Sequence, residues 1–251
     1  MTGWAALRMY GGGYFDGLDR DGLTPRAVRL VVPRGGNLRR WGLTEVERAA
    51  IAASEIRVLH GVPCTSALRA VFDAARSAAD QREAVVVVDM ALAAGLISLD
   101  AYLRYAFARR GWPGARRARS AALLADPRSL SPQETLMRLI WVLDARLPTP
   151  RSNWPVSALD GRRLGRPDLL CDELGVIGEY DGAGHRRRSR HRADVARDQA
   201  FRDAGLESFV VVGGDIEDTC LVVDRMKAAV LRAQQADRPR RWRVARDPGP
   251  A

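Results

Sequence analysis

Residues 165–185, GRPDLLCDELGVIGEYDGAGH, limit the fold of this chain more than any other stretch. They contain two short apolar runs, at residues 169–170 and 176–177, and each run lies next to a carboxylate. Asp168 comes just before the first run, and Glu179 follows the second. The segment between the runs favours a turn, since Asp begins turns well and Gly can adopt a positive φ. The pattern therefore predicts a β-hairpin that brings the two carboxylates close together.

The same hairpin predicts a cluster of acidic side chains. Because side chains alternate between the two faces of a strand, Glu179 and Asp181 share one face and Tyr180 lies on the other. Together with Asp168 these carboxylates would repel one another unless a cation lay among them. Carboxylate oxygens are hard ligands that suit Mg²⁺ or Mn²⁺. The residues alone thus indicate a divalent metal site at the hairpin.

Charge and composition narrow the class of partner. The chain has 251 residues and a net charge of +10, so we expect it to bind polyanions, with nucleic acid first and anionic membrane second. No apolar run approaches the roughly 18 residues of a membrane span, and the N-terminus lacks the apolar core of a signal peptide. The 3 cysteines are far apart and show no CxxC spacing, which argues against zinc and disulfides. We expect a cytoplasmic protein that does not span a membrane, while peripheral membrane contact stays open.

A break at Asp126 and Pro127 divides the chain into domains. Residues 1–129 show mainly helical periodicity, with strand patterns at residues 28–32 and 56–59, so we expect a mostly helical domain with a small β element. Residues 130–236 form a second domain. The tail, residues 237–251, is basic and contains proline, and we expect it to be disordered alone and to add affinity for nucleic acid.

The second domain has the pattern of an α/β fold. Ser131 and Glu134 have the spacing of a capping box, and Pro132 stands at the first helical position, so a helix begins here. The predicted strands are residues 153–159, 166–171, 176–181 and 208–212. Helices are predicted from residue 194 to 204 and from 215 to 236, and a basic loop at residues 186–192. The order helix, three strands, helix, strand, helix indicates a sheet with helices packed against it.

Four stretches of the second domain carry a resemblance to a known family. They are SPQETLMRLI (131–140), GRPDLLCDELGVIGEYDGAGH (165–185), DVARDQAFRDAG (194–205) and ESFVVVGGD (207–215). The domain resembles the small Vsr-like nuclease domains of the PD-(D/E)XK superfamily. In particular, it resembles a bacterial domain of unknown function that is fused to AbiEi-type antitoxin-like N-terminal regions in actinobacteria. Residues 28–125 are similar to the linker region of that architecture. Such proteins usually begin with a winged-helix segment, and we expect this chain to begin after most of it.

The resemblance implies a fold and a set of catalytic acids. It implies a restriction-endonuclease-like mixed sheet flanked by helices, and a metal-dependent phosphodiesterase. Asp168 matches the aspartate of the first half-motif, since Pro167 precedes it, and Glu179 matches the acid of the second half. Asp181 occupies the place of the usual lysine, and the only lysine of the chain, Lys227, is far away in sequence. Glu134 matches an additional acidic position on the first helix.

Phosphodiester hydrolysis needs a nucleophilic water, a Lewis acid and stabilisation of negative charge at phosphorus. We expect Mg²⁺ or Mn²⁺ to be held by Asp168, Glu179 and Glu134. Asp181 would be a further ligand or would orient the water. His185 would act as a general acid or base, because its ordinary pKa lies near 6.5. The phosphate-binding candidates are Arg186, Arg187 and Arg197.

Each candidate also has a simpler interpretation. Capping fully explains Glu134 at the third helical position, and His185 could merely close a loop. The basic residues after it could form a solvated loop.

Three functions remain open at this point. The first is a Vsr-like DNA endonuclease in defence or repair. The alternative is a non-catalytic DNA-binding regulator of the antitoxin kind, with a toxin or another defence protein as partner and the nuclease fold kept as a scaffold. A third is a nuclease acting on RNA. The acidic cluster favours an enzyme, because three carboxylates facing phosphate would weaken simple binding.

Overall fold

The structure is a computed structural model that describes residues 1–182, 188–236 and 238–246, without the side chains of residues 188–195. The chain forms two compact units, Met1–Pro127 and Arg128–Ala251. The described residues contain helices and small sheets, so the chain is a mixed α/β protein. Within this described part, no helix is long and apolar enough to cross a membrane.

The first unit contains helices and two separate pairs of strands. Its helices are α1 (Gly3–Met9), α2 (Ala67–Ser77), α3 (Gln81–Ala93), α4 (Leu99–Phe107) and α5 (Ala115–Leu124). Its strands are β1 (Val28–Val32), β2 (Thr44–Arg48), β3 (Ile56–Leu59) and β4 (Val62–Thr65). Strands β1 and β2 are parallel, whereas β3 and β4 are antiparallel. Side chains of Ser66, Asp80 and Ser98 cap α2, α3 and α4.

The first unit contains a buried ionic cluster around Asp73. Asp73 is fully buried on α2, and its carboxylate accepts hydrogen bonds from Nε of Arg69 and Nε of Arg76, each at 2.8 Å. The hydroxyl of Thr2 donates to the same carboxylate at 2.8 Å. A buried charge is tolerated when its lone pairs are occupied in this way. The cluster therefore ties α1 to α2 through groups that depend on one another.

The second unit contains the hairpin predicted from the sequence. Its helices are α6 (Pro132–Leu139), which continues as a π-helical turn (Ile140–Asp144), α7 (Arg188–Asp203) and α8 (Thr219–Gln235). Its strands are β5 (Arg151–Ser152), β6 (Val156–Ala158), β7 (Arg163–Gly165), β8 (Leu169–Cys171), β9 (Val176–Asp181), β10 (Glu207–Val212) and β11 (Trp242–Val244).

These strands form two small sheets. The larger has the order β10-β9-β8-β5, in which β9 and β10 are parallel and the other pairs are antiparallel. The smaller is antiparallel, with the order β11-β6-β7. One core cluster includes Trp141 and Phe209 with residues of α8, and a second includes Phe201 of α7 with Ile177 and Trp242. The two clusters lie on opposite faces of the hairpin β8–β9, because Val176 belongs to the first and its neighbour Ile177 to the second.

The structure corrects several sequence expectations. The strand predicted at residues 153–159 begins only at Val156, because Asn153 has a φ of 50°, outside the extended region. The strand predicted at residues 166–171 begins only at Leu169, and Pro167 before it cannot donate to a ladder. β7, at Arg163–Gly165, is a separate strand that the sequence pattern did not predict. The predicted basic loop is helical from Arg188 onward.

The tail expected to be disordered is also partly ordered. Residues 242–244 form β11, which pairs with β6, and Trp242 is 2% exposed. The expectation of disorder was wrong here because a single tryptophan contributes a large buried apolar area, which outweighs the low hydrophobicity around it.

Candidate active site

The hairpin β8–β9 brings Asp168 and Glu179 to adjacent positions. Leu169 of β8 pairs with Gly178 of β9 in an antiparallel register. Since antiparallel neighbours advance in opposite directions, Asp168 comes opposite Glu179 one residue further along. The turn that joins the strands ends at Gly175, which has a φ of 65° and needs a residue without a side chain.

The acidic side chains share one face of the sheet. Ile177 packs in the cluster with Phe201 of α7, so alternation places Glu179 and Asp181 on this face. Leu170 packs in the same cluster, so alternation also places Asp168 there. Tyr180 lies on the other face and packs against the first cluster. The carboxylates are thus gathered on the face that α7 covers.

The environment of Asp168 favours its protonated form. The pKa of this carboxyl is raised to about 6, chiefly by burial and also by the charge of Glu134. The N–H of Tyr180, which donates to Oδ2 at 2.7 Å, and the charges of Arg197 and Arg166 lower the pKa. The charge of Glu134, on α6, therefore reaches the carboxyl of Asp168. Asp168 therefore changes its charge close to neutral pH, which is typical of functional carboxyls.

Glu134 has a capping role and also approaches the hairpin. Its N–H donates to Oγ of Ser131 at 3.2 Å, and its Oε2 accepts from the N–H of Leu130 at 3.0 Å. The same oxygen accepts from Nδ2 of Asn153 at 2.5 Å. Asn153 in turn donates its backbone N–H to the carbonyl of Asp168 at 3.0 Å. Asn153 therefore links the helix carboxylate to the strand carboxylate.

The sequence did not reveal the role of Asn153. Its only signal is that asparagine tolerates the left-handed region better than most residues, and its φ is 50°. That backbone conformation allows the side chain to reach α6 while the N–H points to β8. A strand residue, as expected from the sequence, would have its N–H and side chain directed differently.

Arg197 brings positive charge from α7 to this face. Its Nη2 lies 3.5 Å from Oε2 of Glu179. Gly165 allows α7 to approach so closely, because a Cβ at this position would lie 2.7 Å from Cζ of Phe201 and 3.1 Å from Cδ of Arg197. The arginine predicted to bind phosphate thus lies next to one of the predicted catalytic acids.

Of the remaining predicted residues, the structure describes Asp181. Asp181 ends β9, and its carbonyl accepts from the N–H of Gly213 at 3.1 Å. Burial raises the pKa of Tyr180, and the charges of Asp181 and Asp215 add to that effect. His185, Arg186 and Arg187 lie outside the described residues. Asp181 therefore joins the site by its place in β9, and the structure does not describe the other three.

The donor chemistry of this face suits a divalent cation. Asp168 comes directly before β8 and Glu179 lies in β9, each one position beyond the pair Leu169 and Gly178, and burial together with the charge of Glu134 raises the pKa of Asp168. A bound cation would offset this unfavourable accumulation of negative charge, and oxygen donors fit Mg²⁺ or Mn²⁺. Among the described residues, however, no three His, Cys, Asp or Glu side chains are grouped closely enough to hold a metal ion. The described side chains therefore suit a divalent cation in the type of donor atom, although they are not grouped around one point.

Comparison of the chain with protein-family models, curated proteins and solved structures gives no match.

Proposed function

We propose that the second unit is a metal-dependent endonuclease that hydrolyses phosphodiester bonds of DNA, in a defence or repair context. The observation that carries this proposal is the juxtaposition of Asp168 and Glu179 on one face of β8–β9, together with the effect of the Glu134 charge on Asp168. We further propose that the sheet β10-β9-β8-β5 and its flanking helices have a restriction-endonuclease-like arrangement.

The residues of the chain would divide the work of hydrolysis. A Mg²⁺ or Mn²⁺ ion held by Asp168 and Glu179, with Glu134 as a further ligand, would lower the pKa of a nucleophilic water and neutralise charge at phosphorus. Tyr180 orients Asp168 by its N–H, which occupies Oδ2. Arg197, beside Glu179 on the same face, would bind a phosphate oxygen. Asp181 and His185 remain our proposed groups for orienting and moving protons of the attacking water.

A second candidate is a DNA-binding regulator that keeps the fold as a scaffold. It is favoured by a specific observation: Asp168 has a backbone N–H as partner, and Glu179 has a guanidinium within 3.5 Å. Both carboxylates are therefore stabilised in part without a cation. The net charge of +10 supports binding to DNA under either proposal.

The test is cleavage of supercoiled plasmid, single-stranded DNA and RNA, with Mg²⁺, with Mn²⁺ and with EDTA. The variants are Asp168→Asn and Glu179→Gln, which keep side-chain size and remove the charge. Glu173→Gln is the matched control, because Glu173 is an exposed acid in the turn of the same hairpin. We expect metal-dependent nicking in wild type and control, and a loss on the order of 100-fold or more in both site variants.

Other outcomes separate the candidates. Binding of DNA without cutting, equal in wild type and all variants, would support the regulator and refute the enzyme. Cutting that survives both Asp168→Asn and Glu179→Gln would mean that the site has been assigned to the wrong residues. Preference for RNA over both forms of DNA would change the substrate and keep the chemistry.

A further inference from the structure

The ordered part of the tail forms a basic pocket with the end of α7. This pocket has a volume of about 500 Å³ and is lined by Gln199, Arg202, Asp203, Arg238, Pro239 and Arg241. Its wall is fixed by the backbone, since the N–H of Arg241 donates to the carbonyl of Ala204 at 2.9 Å and its carbonyl accepts from Leu159 at 3.1 Å. The burial of Trp242 anchors the same segment. The pocket is therefore a built feature and not a passing contact of a loose tail.

Positive charge dominates this pocket. Three guanidinium groups line it with one carboxylate, Asp203, which accepts a hydrogen bond from Nε2 of Gln199 at 2.7 Å. Arg238 is 3.4 Å from Glu207. In the described part of the chain, neither Arg202 nor Arg241 forms a side-chain ion pair or hydrogen bond. Guanidinium groups that are exposed and not engaged in this way bind phosphate oxygens well.

A row of polar side chains crosses the neighbouring sheet. In the register of β11, β6 and β7, Arg243 pairs with Ser157, and Ser157 pairs with Arg163. Both arginines are exposed, whereas Trp242 and Leu164 beside them are buried, so the row lies on the outer face. Neighbouring strands are about 4.8 Å apart, so the row is about 10 Å long. This is the axial rise of about three nucleotides of one strand of a duplex, at about 3.4 Å each.

We propose that the pocket and this row form one surface that binds the phosphates of a nucleic-acid backbone, through Arg202, Arg241, Arg243 and Arg163. Alternation in β11 directs Arg241 and Arg243 to the same side of the strand, which joins the pocket to the row. Guanidinium and hydroxyl groups are typical contacts to phosphate, whereas a protein interface usually has aromatic anchors at its centre.

The pocket and the carboxylate face share helix α7. Arg197, next to Glu179, and Arg202, in the pocket, are five residues apart on α7, which is about 7.5 Å along the helix and about 140° around it. The pocket therefore lies on a different side of α7 from the proposed catalytic acids. This inference rests on nucleic acid as the ligand, which the endonuclease and its alternative share, and does not need the chain to cut.

The experiment measures binding of a fluorescein-labelled 20-base-pair duplex by fluorescence anisotropy, in EDTA, between about 50 and 200 mM salt. The salt slope is the decrease of log affinity with log salt, and each phosphate contact adds about 0.9 to it. The variant is Arg241→Gln/Arg243→Gln. The control, Arg20→Gln/Arg104→Gln, removes the same charge from two exposed arginines that are paired with Asp80 and Asp100.

We expect the contact variant to flatten the plot of log affinity against log salt by about 1.8, because two phosphate contacts are lost. The loss of affinity between the two salt concentrations then becomes about 12-fold smaller. The effect should be equal for duplexes of unrelated sequence, since phosphate contacts do not read bases. The control should keep the wild-type slope. Arg163 lies on β7, outside the tail, so the effect of Arg163→Gln does not depend on folding of the tail. This variant should flatten the slope by about 0.9.

Three results would overturn the inference. The first is absence of duplex binding by wild type, and the second is an equal change of slope in the contact variant and the control. The third is binding of a polyglutamate peptide that depends on these arginines while duplex binding does not, which would assign the surface to an acidic protein. The fate of the enzyme proposal is separate: Asp168→Asn should lose cleavage and keep the wild-type salt slope.

Discussion

Replacement of Asp168 by Asn should stabilise the protein, and the gain should depend on pH. The pKa of Asp168 in the folded state is about 6, above its ordinary value of 3.8, chiefly because of burial. The folded state thus binds this proton more tightly than the unfolded state does. Stability therefore falls as pH rises from 3.8 through 6, when the folded protein must carry a buried negative charge.

The magnitude follows from the two pKa values. A shift of about 2 units corresponds to about 3 kcal/mol, at about 1.36 kcal/mol for each unit. Asn carries no charge at any pH, and its amide oxygen can still accept the N–H of Tyr180. We expect Asp168→Asn to change the free energy of unfolding little at pH 4, and to raise it by up to about 3 kcal/mol at pH 8. Partial exposure of Asp168 makes this figure an upper bound.

The assay must report on the second unit alone, because the chain has two compact units. Urea unfolding can be monitored in this unit by hydrogen exchange and mass spectrometry of peptides that contain Val176–Asp181, with EDTA present to exclude cations. Glu173→Gln, an exposed acid in the same hairpin, is the control and should show no comparable pH-dependent gain. A second variant, Glu134→Gln, should lower the pKa of Asp168, because the charge of Glu134 raises it.

Two results would refute this reasoning. One is a variant Asp168→Asn that is less stable than wild type at pH 8, which would mean that the carboxylate forms favourable interactions that outweigh its burial. The other is a gain of the same size at pH 4 and pH 8, which would assign the effect to packing and not to charge.

Three further substitutions test the packing around the site and in the first unit. Gly178→Ala would place a Cβ in the ring of Phe209, so it should destabilise the second unit by about 1–3 kcal/mol in the same unfolding assay. Trp242→Ala should cost about 3–5 kcal/mol and increase proteolysis of the tail, whereas a disordered tail would show no change. Asp73→Asn should destabilise the first unit by about 3–5 kcal/mol, measured by exchange of α2 peptides, because it removes the buried negative charge that Arg69 and Arg76 share.

The hairpin shows how much of the candidate site local sequence can specify. Two apolar runs and a turn with Gly175 were sufficient to predict the hairpin, and the period of two in β9 predicted which of its faces carries Glu179 and Asp181. The start of α6 was also predicted from local sequence, because the hydroxyl of Ser131 accepts the N–H of Glu134 as the spacing of the two residues predicts. These features depend on residues a few positions apart, so a short stretch of sequence is enough to specify them.

Asn153 and Arg197 show where the sequence was insufficient. The pattern around Asn153 predicted a strand, and the left-handed conformation arises from contacts to α6 and β8, both distant in sequence. Arg197 was predicted as a phosphate ligand, but its proximity to Glu179 depends on how closely α7 packs on Gly165. No local pattern encodes such a distance.

In the tail, tertiary contacts produced order where the sequence pattern predicted disorder. Its composition predicted disorder, and the strand β11 forms because β6 presents a free edge and a buried position for Trp242. The basic pocket exists only as a result of that pairing.

The sequence by itself thus determined the mixed α/β character, the start of α6, the hairpin and the face that carries the acids, since these follow from side-chain periodicity and turn chemistry. Only the tertiary structure decided which charges meet: Glu134 with Asp168, Arg197 with Glu179, and Arg202 with Arg241. The physical reason is that pKa values and anion sites depend on burial and on distances of a few ångströms between elements. Those distances are fixed by packing, which no single segment of the chain specifies alone.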